Sequence, residues 1–245
     1  MQRWLFMGNP GSGKSTLLNC LLQRAAFDAG LSFGGGRTQT AQSERWTDDI
    51  FLVDTPGVAD VEVRQEACAA ITAALKHDGV YKLFFVVTMR NGRAPPEDVA
   101  TYNEVLRSIA VRDIKFSLII NNVQKQQYAL VTGSLENYDR AIAGIGGGDF
   151  FSDSILFIPA MPELDEEDNA VVALPDFVHQ FLVAAPACEI PPSAVGKINT
   201  DTDAFRAKSA ELASNMRALQ HQKAALQSQL ASLEQSNRSD PRAAM

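Results

Sequence analysis

A chain of 245 residues, 46% hydrophobic and 21% charged, has ordinary globular usage, with room for one large domain and an appendage but no second enzyme. Its net charge of −7 argues against a general affinity for nucleic acid or anionic lipid, both of which select basic surfaces. Cys20, Cys68 and Cys188 are too widely spaced for a disulfide framework or a zinc site, and no apolar stretch is long enough to span a bilayer, so the expectation is a cytoplasmic protein without an integral membrane segment.

In chain order, the apolar run Trp4-Leu5-Phe6-Met7 predicts a strand over 2–7, and a helix follows over 14–26. Between them stands Gly8-Asn9-Pro10-Gly11-Ser12-Gly13-Lys14-Ser15, the Gly-x-x-x-x-Gly-Lys-Ser phosphate loop in its strand, loop and helix context. Glycines let successive main-chain N–H groups turn inward around a β-phosphate, and the helix N-terminus adds its positive dipole end. Residues Asn9, Pro10, Gly11, Ser12, Gly13, Lys14, Ser15 and Thr16 are therefore the expected nucleotide contacts. Lys14 supplies a point charge to the β- and γ-phosphates, and the Ser15 hydroxyl is an expected Mg²⁺ ligand.

Gly34-Gly35-Gly36-Arg37-Thr38-Gln39-Thr40 has the composition of a switch segment, a hinge ending in a threonine able to reach Mg²⁺ and the γ-phosphate. Thr38 is favoured, because Thr40 is explained as a β-favouring residue entering an edge strand near 41–47. Ile50-Phe51-Leu52-Val53-Asp54 then predicts a strand over 50–54, with Asp54-Thr55-Pro56-Gly57 at its carboxyl end. There Asp54 is placed to hold Mg²⁺ through a water, and the Gly57 N–H to sense a γ-phosphate. The next residue, Val58, occupies the position at which a Ras-type enzyme carries a water-orienting glutamine, and valine has no hydrogen-bonding group, so intrinsic hydrolysis is expected to be slow.

A helix over 60–77 and a strand over 81–88 lead to Gly92-Arg93-Ala94-Pro95-Pro96-Glu97-Asp98. This segment resembles the Gly-Arg-x-x-x-Glu-Asp box of GTPases of the immunity-associated protein family (GIMAP, or AIG-type), and Thr38-Gln39-Thr40 is similar to that family's Thr-Lys-Thr switch. Four motifs in order over about residues 1–184 carry the resemblance. It implies a relative of septins and the chloroplast-envelope Toc receptors: a Ras-like sheet that binds GTP or GDP with Mg²⁺ and forms a homodimer through its nucleotide face. It also implies Arg93 as an arginine finger delivered by the dimer partner, a device worth roughly 10³ to 10⁵ in rate. The residues alone equally allow Gly92-Arg93 to begin the turn before a helix over 96–110, whose first acids, Glu97 and Asp98, suit a helix N-terminus.

After a strand over 115–121, GTPases of this class usually carry Asn-Lys-x-Asp, whose carboxylate accepts two hydrogen bonds from guanine. Here Asn121 fits, but Asn122 replaces the lysine and Gln124 the aspartate. An amide offers one acceptor and one donor, so the preference for guanine over adenine is expected to weaken, with an ATPase as one alternative and a non-cycling nucleotide-dependent scaffold as another. A helix over 134–144, a strand over 154–158 and a helix over 170–184 complete the alternation. Pro159-Ala160 resembles the Ser-Ala loop whose main-chain N–H contacts the guanine oxygen, making Ala160 a further candidate; the acidic run Glu163–Asp168 reads as a solvated loop or as a source of one base-reading carboxylate.

The whole predicts an α/β Ras-like P-loop NTPase sandwich over 1–185 with a mostly parallel central sheet. A proline-rich linker over 186–200, a C-terminal α-helix over 201–236 and a disordered tail over 237–245 follow. In that helix Phe205, Leu212, Leu219, Leu226 and Leu233 recur every seven residues, while the second seam column, Thr202, Ser209, Met216, Lys223 and Leu230, is wet. A self-associating coiled coil, a helix docked on its own domain and a helix awaiting a helical protein partner all satisfy that pattern.

Overall fold

The computed structural model describes residues 1–29, 40–58, 64–90, 92–145 and 149–238. Strands β1 (Gln2–Met7), β2 (Gln42–Arg45), β3 (Ile50–Asp54), β4 (Val80–Thr88), β5 (Ser117–Val123) and β6 (Ile155–Pro159) line up in the order β2-β3-β1-β4-β5-β6. The pairs β1–β3, β1–β4, β4–β5 and β5–β6 are parallel, and β2 lies antiparallel on β3 at the edge. Parallel strands need crossovers, and these are the helices α1 (Lys14–Leu22), α2 (Arg64–Leu75), α3 (Pro96–Arg107), α4 (Lys125–Gly133) and α5 (Leu135–Ile145), while α6 (Asp176–Ala184) follows the last parallel strand.

Alternation along β1 builds both faces. Trp4 and Phe6 point into a core with Leu17, Leu18 and Leu21 of α1 and Val178 and Leu182 of α6. Leu5 and Met7 face the opposite core with Ile71 of α2 and Val99, Tyr102 and Leu106 of α3. Central strand β4 is buried from Tyr81 to Val87, including Lys82, whose ammonium donates to the terminal carbonyls of α6 at Leu182 (3.1 Å) and Val183 (2.5 Å) and lies 4.8 Å from the Trp4 ring. A charge in an otherwise apolar strand is tolerated because it reaches a helix C-terminus.

Several boundaries differ from expectation. Helix α1 stops at Leu22, not 26, because Gln23 takes a left-handed conformation (φ 53°) and the Asn19 side chain satisfies the chain beyond: its carbonyl accepts from Ala26 and Phe27 N–H (2.9 and 2.8 Å) and its amide donates to Phe27 O (2.8 Å). Helix α6 begins at Asp176 rather than 170, since Leu174 precedes Pro175 and a residue before proline is driven from helical geometry. Helix α4 is an addition to the expected elements; its one buried residue is Val131, too little for an apolar period to show.

The stretch over 186–200 is no free linker. Within it β7 (Cys188–Glu189) pairs antiparallel with Val80 and Tyr81, the start of β4 that β5 leaves uncovered, and Val195 bridges to Ile109. Ile190, Val195 and Ile198 are buried in the core on the α2 and α3 side. Its prolines break helix geometry yet suit an extended strap. Helix α7 (Thr202–Arg238) follows and packs its first half on α3: Phe205, Ser209, Leu212 and Met216 are buried. The same stripe then leaves the domain, with Leu219 57% and Leu226 64% exposed. The expected tail begins inside α7, and 239–245 lie outside the described residues.

Candidate functional site

At the carboxyl ends of the parallel strands, the loop between β1 and α1 borders a cavity of about 600 Å³. Glycine is required at Gly13, which has φ 86° and where a Cβ would stand 2.3 Å from the Asn121 amide nitrogen. That amide, at the end of β5, donates to Ser12 O (3.0 Å), so the strand of the base-recognition motif also braces the phosphate loop. Lys14 Nζ donates to the carbonyls of Gly8 (3.0 Å) and Asn9 (3.1 Å). Burial pushes its ammonium below the ordinary value of 10.5, while the carboxylates of Asp54 and Asp98 oppose that shift.

The two metal candidates that can be followed meet across the site: Ser15 Oγ donates to Asp54 Oδ2 at 2.5 Å. A hydroxyl from the first turn of α1 and a buried carboxylate from the end of β3 are hard oxygen ligands, and they fit Mg²⁺. Gly57 comes so close to the phosphate loop that a Cβ there would lie 2.3 Å from Pro10 Cδ. This close approach holds the Asp-x-x-Gly turn against the loop. Behind Asn9 lies a polar cluster: its amide donates to Asp98 Oδ1 (2.7 Å), its carbonyl oxygen accepts from Thr101 Oγ1 (2.7 Å), and Asp98 Oδ2 accepts from Thr88 N–H (3.1 Å).

On the far side of the cavity stand Asn122, Pro159 and Met161, with Asp165, Glu166, Glu167 and Asp168 along the rim. The acidic loop is tied to the segment after α1 by Ala29 N–H donating to the Asn169 side chain (2.7 Å) and Asn169 N–H to Ala29 O (3.0 Å).

Residues 3–122 match the family described as 50S ribosome-binding GTPase. A curated relative, GTPase Der of Flavobacterium johnsoniae, is 27% identical over 183 residues, covering 70% of this chain. This chain carries a P-loop GTPase G domain. It spans only 39% of the length of that relative. Among solved structures, the G domain is similar to that described as "Dimerization is important for the GTPase activity of chloroplast translocon components atToc33 and psToc159" (17% identity, TM-score 0.51, 75% of this chain and 82% of that one). It is also similar to a variant of NFeoB from S. thermophilus bound to GDP.AlF4− (15% identity, TM-score 0.45, 76% and 63%) and to a variant of Era from Aquifex aeolicus bound to GDP.AlF4− (19%, TM-score 0.46, 80% and 62%).

Within the G domain, Gly11, Gly13, Lys14, Ser15, Thr16 and Gly57 line the cavity, whereas buried Asn9 and Ser12 and half-buried Pro10 do not. Thr38 lies outside the described residues, and Thr40 is an exposed bend residue just before β2. Val58 is fully buried. At the base end, Gln124 is exposed at the start of α4 and does not line the cavity. The Ala160 N–H donates to Val123 O (2.8 Å), extending the β5–β6 ladder, and its neighbours Pro159 and Met161 line the cavity. Arg93 is exposed on a turn closed by mutual main-chain hydrogen bonds with Arg90 (2.8 and 3.1 Å) and is not among the residues that line its own chain's cavity.

Sequence reasoning reads Asp98 as the last residue of the Gly-Arg-x-x-x-Glu-Asp box or as a helix-end acid, and passes over Thr88 and Thr101. The spacing from Gly92 was the available signal, but the partners come from three separate elements. Asp28 and Ala29, also on the cavity wall, follow a helix whose early end could not be read.

Proposed function

We propose that this chain is a GTP-binding switch that binds GTP and GDP with Mg²⁺ and hydrolyses GTP slowly, with turnover raised by homodimerisation through the nucleotide face. The observation carrying this reading is that Lys14 and Ser15, in the first turn of α1, line one cavity and that Ser15 donates to the Asp54 carboxylate at the end of β3. Lys14 binds the β- and γ-phosphates, the glycine-rich loop donates main-chain N–H groups, and the Gly57 N–H reads the γ-phosphate. Ser15, Thr38 and Asp54 hold the Mg²⁺, which neutralises charge on the phosphates when bound.

A buried Val58 supplies no group to orient water, so hydrolysis needs help from elsewhere. Arg93, exposed on its turn, does not line its own chain's cavity and is the finger that a second copy would insert. In the chloroplast translocon components atToc33 and psToc159, dimerisation is important for GTPase activity, which supports the same arrangement here. Of the motif positions, Asn121 and Asn122 line the cavity and Gln124 does not, so discrimination of GTP from ATP is shallow and any further base reading falls to the carboxylates of Asp165, Glu166, Glu167 and Asp168 on the same cavity. Beyond the docked half of α7, exposed Leu219 and Leu226 are offered to a helical partner. Among the described residues, no helix is long and apolar enough to cross a membrane.

The test is GTP and ATP binding and turnover with Mg²⁺ across protein concentrations, with Lys14→Ala as the blank. GTP turnover per molecule that rises with concentration supports the dimer-activated GTPase. Tight binding without turnover turns the protein into a nucleotide-dependent scaffold, and faster ATP turnover makes it an ATPase.

A further inference from the structure

Asp98 stands in the first turn of α3, where an acid ordinarily serves the helix's own N–H groups. Here its carboxylate reaches out to other elements. Oδ1 accepts from the Asn9 amide (2.7 Å), and Oδ2 from Thr88 N–H (3.1 Å) and Thr88 Oγ1 (3.4 Å) at the end of β4. Thr101, one turn further along α3, donates to the other end of the Asn9 amide (2.7 Å). The four side chains draw on the phosphate loop, β4 and α3, and Asn9, Asp98 and Thr101 are each buried.

The main chain of Asn9 is what this clamp controls. Its carbonyl accepts Lys14 Nζ (3.1 Å) and Ser12 N–H (3.2 Å), so orienting the Asn9 side chain orients two contacts inside the loop. We infer that Asp98 is a positioning residue for nucleotide binding, holding the phosphate loop in its binding shape through Asn9. A carboxylate is required because both of its oxygens must accept; an amide at 98 would turn an N–H toward either Thr88 N–H or the Asn9 amide. The same contact makes the turn that presents Arg93 and the loop that cradles phosphate a single braced unit, since Thr88 and Asp98 flank that turn. Burial raises the Asp98 carboxyl above the usual carboxylate range, and the Thr88 and Asn9 hydrogen bonds offset part of that rise.

This inference rests on the reading of the loop as a nucleotide site. Its test follows dissociation of a fluorescent N-methylanthraniloyl GDP from the full chain, chased with excess GDP, with thermal melting to confirm that each variant folds. Asp98→Asn and Asn9→Ala are each expected to speed dissociation about tenfold, and the double variant to be no faster than Asn9→Ala alone. The exchange N9D/D98N reverses the amide and keeps the Asn9–Asp98 hydrogen bond, so it is expected to restore slow dissociation. Unchanged dissociation in folded Asp98→Asn, effects that add in the double variant, or fast dissociation in a folded exchange variant would each overturn the inference. Where Asp98→Asn does not fold, the exchange variant and Thr101→Val decide: slow dissociation in the first with faster dissociation in the second supports the clamp, and any other pattern rejects it. If the wild type itself binds no labelled GDP, the nucleotide reading fails first and the positioning role falls with it.

Discussion

Lys14 is a buried cation that donates to carbonyls of its own loop, and burial is the larger influence on its ionisation. Its folded value lies below 10.5, so between the two the unfolded chain carries the extra proton and stability rises with pH across that window. Unfolding followed as the pH rises toward 10.5 is expected to show this slope in the wild type and to lose it in Lys14→Met. The same variant removes the charge that faces phosphate and is expected to bind GDP at least about a hundredfold more weakly in a fluorescence titration. Gly57→Ala acts by volume, because its Cβ would stand 2.3 Å from Pro10 Cδ and the phosphate loop must yield. The expected cost is about 1–3 kcal/mol, read as a lower melting temperature together with weaker GDP binding.

Among the elements, those with continuous apolar runs were readable from their own residues: β1, β3, β4, β5 and β6 each lie within a few residues of expectation. Helix α4 was not, since a surface helix with one buried side chain leaves no period. Nor was β7, whose two residues form a strand only because the start of β4 has an open edge. Helix α7 shows how one periodic stripe has two fates, buried at Phe205, Leu212 and Met216 and exposed at Leu219 and Leu226. Leu212→Ala is therefore expected to destabilise the chain by about 2–4 kcal/mol in denaturant unfolding, and Leu226→Ala by less than about 0.5 kcal/mol. A concentration-dependent change in Leu226→Ala stability would instead mark that half of α7 as a self-association seam.

At the scale of the whole molecule, Arg93 does not line its own cavity, so the proposed finger role is expected to require a second copy. Arg93→Ala is expected to lower GTP turnover at least about a hundredfold at high protein concentration and to leave turnover at high dilution unchanged. Equal turnover of wild type and variant at every concentration would reduce Arg93 to a turn residue. The phosphate loop, the Asp54–Gly57 turn and the alternation of strands with helices were legible in the sequence, because each is specified by residues adjacent in the chain: glycines for the turn, an apolar run for the strand, a capping dipole for the helix. The bracing of Asn9 by Asp98 and Thr101, the capture of the Ala160 N–H by Val123 and the docking of α7 on α3 were decided only in the tertiary structure. Each joins groups distant in sequence, and a hydrogen-bond donor or an apolar stripe carries no mark of which partner the folded chain will bring to it.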